Sequence, residues 1–268
     1  MQNGTTVLDL TAAGIDRLET ALEQHDPHRF LKRLSGSTFT AHLLAKVKLL
    51  APLERQEVWA AGVTYQRSRK ARMEESEFSA TAYYKVYDAA RPELFFKALP
   101  EKVVAHGGAI GIRKDAQWSV PEPELALVIN SRGRIVGYTI GNDVSSRDIE
   151  GENLLYLPQA KIYDRSCAIG PWILIGASEG EARDWKIELR VRRNGAPVFE
   201  GEAFVSQIKR SFDDLAGYLF RSQSFAHGAV LLTGTGIVPP DDFTLRPEDT
   251  VSINISGIGT LENPVMEV

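Results

Sequence analysis

From about residue 95 onward, Gly, Pro and Asn cut the chain into short apolar runs: "LFFKAL", "LALVI", "IVGYTIG", "PWILIG", "WKIELRVRRNG" and "TVSINISGIGTLENPV". Runs of this size between turn-forming residues suit strands, because a helix needs about 10–12 residues to bury a face. The pattern predicts a mostly β (α+β) fold with a few helices. One helix interrupts the strands, "SFDDLAGYLFRSQ". Ser211 is its expected N-cap, and Asp213 and Asp214 stand in the first turn, where carboxylates face unpaired backbone N–H groups. Upstream, "GIDRLETALEQH" sets Ile15, Leu18 and Leu22 at helical spacing. Residues 1–52 are expected to form a small N-terminal α/β unit and residues 53–268 the main β-rich domain. In the latter, "EVWAAGVTYQ" reads as a strand that leads into a polar, helical segment, "RSRKARMEESEFSATAYYKVYDAA".

A net charge of −4 gives no electrostatic reason to expect nucleic acid or an anionic membrane surface as partner. The single cysteine, Cys167, excludes an internal disulfide and a Cys-rich zinc site. The N-terminal "MQNGTTVLDLTAAG" lacks a basic region followed by an apolar run. No stretch approaches the ~18 consecutive apolar residues of a spanning helix. A soluble cytoplasmic protein is expected.

Glu-x-Glu occurs five times, at Glu75/Glu77, Glu122/Glu124, Glu150/Glu152, Glu179/Glu181 and Glu200/Glu202. Spacing alone marks each as a solvated pair. Glu122 and Glu124 differ in context: they open the apolar run "LALVI", where residues two apart on a strand share a face. "NSRG" is a tight-turn sequence, and "RIVGYTIGND" returns from it. Folding this hairpin about Ser131 and Arg132 sets Asp143 opposite Glu122, with Cβ atoms about 4.5–5.5 Å apart. Three converging carboxylates repel one another, and desolvation adds to the cost. Either a cation resolves the conflict, or Arg and Lys hold a strand-end cluster. All-oxygen ligands favour a hard ion, Mg²⁺ first, with Mn²⁺ or Ca²⁺ as alternatives. On this reading, Ala at Glu122 or Asp143 abolishes metal binding while relieving repulsion, so the fold is kept.

The hairpin runs into "GNDVSSRDIEGENLLYLPQAKIYDRSCAIGP", and "LLTGTGIVPP" follows near the C-terminus. This ordered set resembles the fumarylacetoacetate hydrolase family from about Val58 to Pro240. The resemblance implies a mixed β-roll, a homodimer or higher homo-oligomer, and Mg²⁺ held by a Glu-x-Glu pair and a downstream Asp. Those positions fall on Glu122, Glu124 and Asp143. It also implies an active-site lysine at Lys161, a pocket lysine at Lys97 and a ligand-binding hydroxyl at Thr235. Asp164 and Ser166 are expected to support the site.

Hydrolases of the family carry a histidine shortly after the "G-x-x-Y" of their lid. Here that stretch is "GVTYQRSRKAR", and Ser68 takes the histidine position. A serine with no base is a poor activator of water, which disfavours hydrolytic C–C cleavage. "GVTYxxSxxAR" instead resembles the branch that dehydrates 2-keto-3-deoxy sugar acids. That branch implies Mg²⁺-dependent conversion of a substrate such as 2-keto-3-deoxy-D-arabinonate to 2,5-dioxopentanoate. Lys161, Ser68 and Lys97 are then the candidate catalytic residues, and Tyr65, Arg69, Arg72, Asp164 and Thr235 the candidate substrate contacts. Lys161 is the first candidate base and a metal-bound hydroxide the second; Glu74, Glu75 or Glu77 could add acid–base function from the lid. An acylpyruvate hydrolase, an oxaloacetate decarboxylase and a non-catalytic binding protein of the same fold are the alternatives.

Overall fold

A computed structural model describes residues 5–34, 38–67 and 84–268. The strands in chain order begin with β1 (Thr6–Leu8), β2 (Ala41–Leu43), β3 (Glu57–Gly62), β4 (Glu93–Ala98) and β5 (Ile110–Ile112). Next come β6 (Ser119–Val120), β7 (Pro123–Ile129), β8 (Ile135–Asp143), β9 (Ser145–Ser146) and β10 (Cys167–Leu174). The last are β11 (Lys186–Arg193), β12 (Ala196–Phe204), β13 (Ala229–Leu232), β14 (Thr250–Ile255) and β15 (Gly259–Glu267). The α-helices that lie wholly within the described residues are α1 (Leu18–Leu22), α2 (Pro27–Leu34), α3 (Arg147–Glu152), α4 (Leu157–Lys161), α5 (Glu179–Arg183) and α6 (Phe212–Phe220).

A six-stranded sheet runs β10-β8-β7-β13-β3-β4, and a five-stranded sheet runs β12-β11-β14-β15-β5. All pairings in them are antiparallel except β13 with β3 and β15 with β5. β7 reads as a continuous apolar run because both its faces are covered. Leu125, Leu127 and Ile129 join Ile187, Leu189, Val251 and Ile253 in one core, while Ala126 packs with Val58, Val230 and Leu232 in a second. Strand alternation therefore puts Glu122 and Glu124 on the Ala126 side, away from the larger core. Helix α6 starts where the sequence predicts: Ser211 Oγ accepts from the Asp214 N–H at 3.1 Å. Its Phe212, Leu215 and Leu219 are buried against the main core.

The hairpin of β7 and β8 has the expected register. Pro123 lies opposite Asn142 and Glu124 opposite Gly141, and the Asp143 N–H donates to the Glu122 carbonyl at 3.0 Å. Gly133 closes the turn at φ 74°, a left-handed conformation that glycine adopts without steric cost. In the N-terminal segment β1 and β2 pair with each other alone. The hairpin turn holds that segment: Ser131 Oγ donates to Glu23 Oε2 at 2.7 Å, and Arg132 Nη2 donates to the carbonyls of Glu23 and Gln24. No described helix is long and apolar enough to cross a membrane.

Candidate metal centre and cleft

One end of the six-stranded sheet forms a narrow cleft. β3, β8 and β13 end there, and β4 and β7 begin there. Glu122, Glu124 and Asp143 line it with Glu93, Glu150 and Lys161. One carboxylate oxygen from each of Glu122, Glu124 and Asp143 lies within 4.8 Å of the others, and all three residues are buried.

Three cations meet these acids. Lys161, at the end of α4, donates from Nζ to Glu122 Oε2 at 2.8 Å, to Asp143 Oδ2 at 3.1 Å and to Ser145 Oγ. Arg147, in the first turn of α3, donates from Nη2 to Glu122 Oε1 at 2.9 Å. Lys97 of β4 is in close ion contact with Asp143 Oδ1 and donates to the carbonyls of Val144 and Lys161. Both sequence readings of the cluster thus hold: Arg and Lys support it, and its donors suit an ion. Asp143 Oδ1 accepts no directed hydrogen bond despite the lysine beside it, so a lone pair remains for a cation. The three acids fit Mg²⁺, whose preferred ligands are oxygens with room for water and substrate.

Glu124 is held differently. Gly234, just beyond β13 at φ 90°, donates its backbone N–H to Glu124 Oε2. A Cβ on Gly234 would come within 2.1 Å of Thr64 Oγ1, so only glycine permits this approach. Burial first, then the charges of Asp143 and Glu122, pushes the Glu124 carboxyl well above the ordinary carboxylate range. Val63, in the cleft wall, adopts φ 52°, which is rare for a β-branched residue. Its neighbour Thr64 fixes the turn by donating from Oγ1 to the Thr233 carbonyl at 2.6 Å.

Thr235 and Lys161 line the cleft as expected, although the Thr235 hydroxyl turns toward the backbone of Ile237. Ser166 supports Lys161 by donating to its carbonyl at 2.8 Å. Two other expected site residues lie away from the cleft wall. Lys97 is fully buried behind Asp143 and is not among the cleft-lining residues. Asp164 is exposed and pairs with Lys102 at 3.1 Å, because the chain turns through Arg165 at φ 61° and sends it to solvent. Tyr65 is buried against Gly236 and is not among the cleft-lining residues. Ser68, Arg69, Arg72, Glu74, Glu75 and Glu77 lie outside the described residues.

Arg147, Glu93 and Glu150 are site residues that sequence reasoning missed. Arg147 and Glu150 are three apart on α3, so helical spacing buries both together. Two further Glu-x-Glu pairs have structural partners: Glu181 caps α5 with Ser178, Glu179 holds Arg183, and Glu200 and Glu202 pair with Arg190 and Lys186.

Comparison with known proteins gives a consistent result. Residues 57–266 match the family model for the fumarylacetoacetate (FAA) hydrolase C-terminal region. The chain is 50% identical over 217 residues to a probable 2-keto-3-deoxyxylonate dehydratase of Haloferax volcanii, covering 81% of this chain and 74% of that protein. It is 45% identical over 222 residues to the 2-dehydro-3-deoxy-D-arabinonate dehydratase of Saccharolobus solfataricus, covering 82% and 74%. A solved 2-keto-3-deoxy-D-arabinonate dehydratase complexed with magnesium and 2,5-dioxopentanoate superposes with a TM-score of 0.76 at 39% identity, covering 91% of this chain and 90% of the other. Sequence and fold therefore agree over most of the molecule, and the chain belongs to the fumarylacetoacetate hydrolase family.

Proposed function

We propose that this protein is a Mg²⁺-dependent dehydratase of a 2-keto-3-deoxy sugar acid, converting a substrate such as 2-keto-3-deoxy-D-arabinonate to 2,5-dioxopentanoate. The observation that carries the reading is the buried acid triad in a cleft on a fold shared with a magnesium- and 2,5-dioxopentanoate-bound dehydratase. Glu122, Glu124 and Asp143 would hold the ion. Mg²⁺ there supplies a Lewis acid that a 2-oxo acid chelates through its carboxylate and C2 oxygen, making the C3 protons acidic.

The chain's own groups account for the rest. Lys161 presents an ammonium beside the ion-binding oxygens, where it stabilises negative charge developing on the substrate's C2 oxygen. Its three hydrogen bonds to Glu122, Asp143 and Ser145 use all three protons of an ammonium, which suits a donor and disfavours it as the base. The base role passes to Glu93, whose carboxylate enters the cleft against the backbone of Gly62. Phe95, with its ring centroid 5.8 Å from Lys161 Nζ, covers that cation on an apolar side.

We also propose a homodimer in the cytoplasm, the assembly and compartment that the family resemblance and the composition support. The N-terminal segment to residue 52 is proposed as a separate unit, supported by the private pairing of β1 with β2. A proton NMR time course with 2-keto-3-deoxy-D-arabinonate, run with Mg²⁺ and with excess chelator, tests the activity. Metal-dependent 2,5-dioxopentanoate is the expected result, whereas pyruvate would mean C–C cleavage and overturn the reading.

A further inference from the structure

We infer that Glu150 is the acid that protonates the departing C4 hydroxyl, a role that rests on the dehydratase reading above. An elimination needs two proton transfers, one from C3 and one to the leaving oxygen. With Mg²⁺ held by the acid triad, a chelated 2-oxo acid would have C1 and C2 beside these residues, so the groups acting on C3 and C4 would lie in the cleft but outside the ligand set. Among the described cleft-lining residues, the titratable groups that meet this condition are Lys161, Glu93 and Glu150. Lys161 is committed to Glu122 and Asp143 at the ion site itself. Glu93 stands half-buried at the rim on β4, suited to passing a carbon-bound proton on to solvent. Glu150 is 4% exposed, on the wall that α3 contributes after β9, the short strand that follows Asp143.

Burial matters for the leaving step, because a hydroxyl expelled away from bulk water has to receive its proton from the protein. Helix α3 is oriented by Arg147, whose guanidinium is bound to Glu122 Oε1. The helix that supplies Glu150 is therefore tied to a residue of the acid triad. The transfers balance. The C3–H bond breaks and its proton goes to Glu93, while its electron pair forms an enolate. The enolate collapses to C3=C4, the C4–O bond breaks, and the hydroxyl takes the Glu150 proton and leaves as water. Moving a C5 proton to C3 and then relaxing the resulting enol gives 2,5-dioxopentanoate. Solvent takes the Glu93 proton and returns one to Glu150.

The test separates the two transfers. 2-Oxobutanoate has C3 hydrogens but no C4 hydroxyl, so its C3 exchange in D₂O reports the first transfer alone. In Glu150→Gln, dehydration is expected to fall roughly 10²- to 10⁴-fold, the usual contribution of a general acid, with C3 exchange and Mg²⁺ affinity retained. Glu93→Gln should lose both reactions. If Glu150→Gln folds poorly, Glu150→Asp keeps the carboxyl and should show the same selective loss at smaller size. Undiminished dehydration, or a matched fall in exchange and dehydration, would overturn the role of Glu150. Wild-type protein that exchanges 2-oxobutanoate yet dehydrates no 2-keto-3-deoxy sugar acid would instead remove the dehydratase reading, and this role with it.

Discussion

Replacing Glu122 with Ala decides between two opposite accounts of the acid triad. From the sequence, three repelling carboxylates imply that losing one relieves strain and leaves the metal-free fold intact. The structure reverses that expectation. Glu122 is paired at 2.9 Å with Arg147 and at 2.8 Å with Lys161, both of them buried cations, while the acids repel across separations of up to 4.8 Å. Glu122 thus takes part in two buried ion pairs, and its loss leaves Arg147 and Lys161 each short of a partner. Removing one partner of a buried ion pair costs about 3–5 kcal/mol. At roughly 2–4 °C per kcal/mol for a chain of this size, the melting temperature should fall by roughly 6–20 °C. Circular dichroism melts of both proteins in excess chelator at neutral pH measure this without any contribution from a bound ion. Glu122→Gln, which keeps the shape and loses the charge, should fall in between. A metal-free Glu122→Ala protein melting at or above wild type would refute the reasoning and restore repulsion as the dominant effect.

Lys161→Met should abolish turnover yet tighten Mg²⁺ binding several-fold, because the ammonium and the ion compete for oxygens of Glu122 and Asp143; weaker calorimetric affinity would contradict this. The raised Glu124 carboxyl keeps its proton at pH values where an ordinary carboxylate has lost it. Apparent Mg²⁺ affinity should therefore climb with pH until that carboxyl ionises and then level off, with proton release seen by calorimetry in buffers of different ionisation heat. For the same reason this group's effect on metal-free stability has the opposite sign: the fold loses stability as pH rises through the ordinary carboxylate range toward the raised value. An affinity that is flat from acidic to neutral pH would rule this out. Gly234→Ala should cost about 1–3 kcal/mol from the left-handed backbone alone, more with the Thr64 clash, and should weaken Mg²⁺ binding; an unchanged denaturant midpoint would count against the Gly234–Glu124 contact.

The hairpin was legible because register follows from a turn and a buried face, both of which are local. "NSRG" and the apolar alternation fix where Asp143 falls before any long-range contact is known. The cations were harder to place. Lys97 sits mid-strand in "FFKALP" with no local sign of burial, and it meets Asp143 only because β4 and α4 converge on the end of β8. Arg147 and Glu150 carry a helical signal, a spacing of three, that a helix of six residues is too short to repeat. Glu150 also shares its Glu-x-Glu spacing with pairs that prove to be surface or capping residues, so spacing could not separate it from them. The left-handed turn at Arg165, beside which Asp164 faces solvent, is not apparent in "YDRS".

The pairing of Lys97, Lys161 and Arg147 with Glu122 and Asp143 has a consequence for the order of events at the site. With their charges already countered, these two ligands present no large negative field of their own to a divalent ion. Once the ion enters, positive charge is in excess, and an anionic 2-oxo acid is the ligand that offsets it. Coupling between two ligands is reciprocal, so each should hold the other in place. Metal retention then tracks substrate supply: an idle enzyme sheds its ion on dilution, and a working one keeps it.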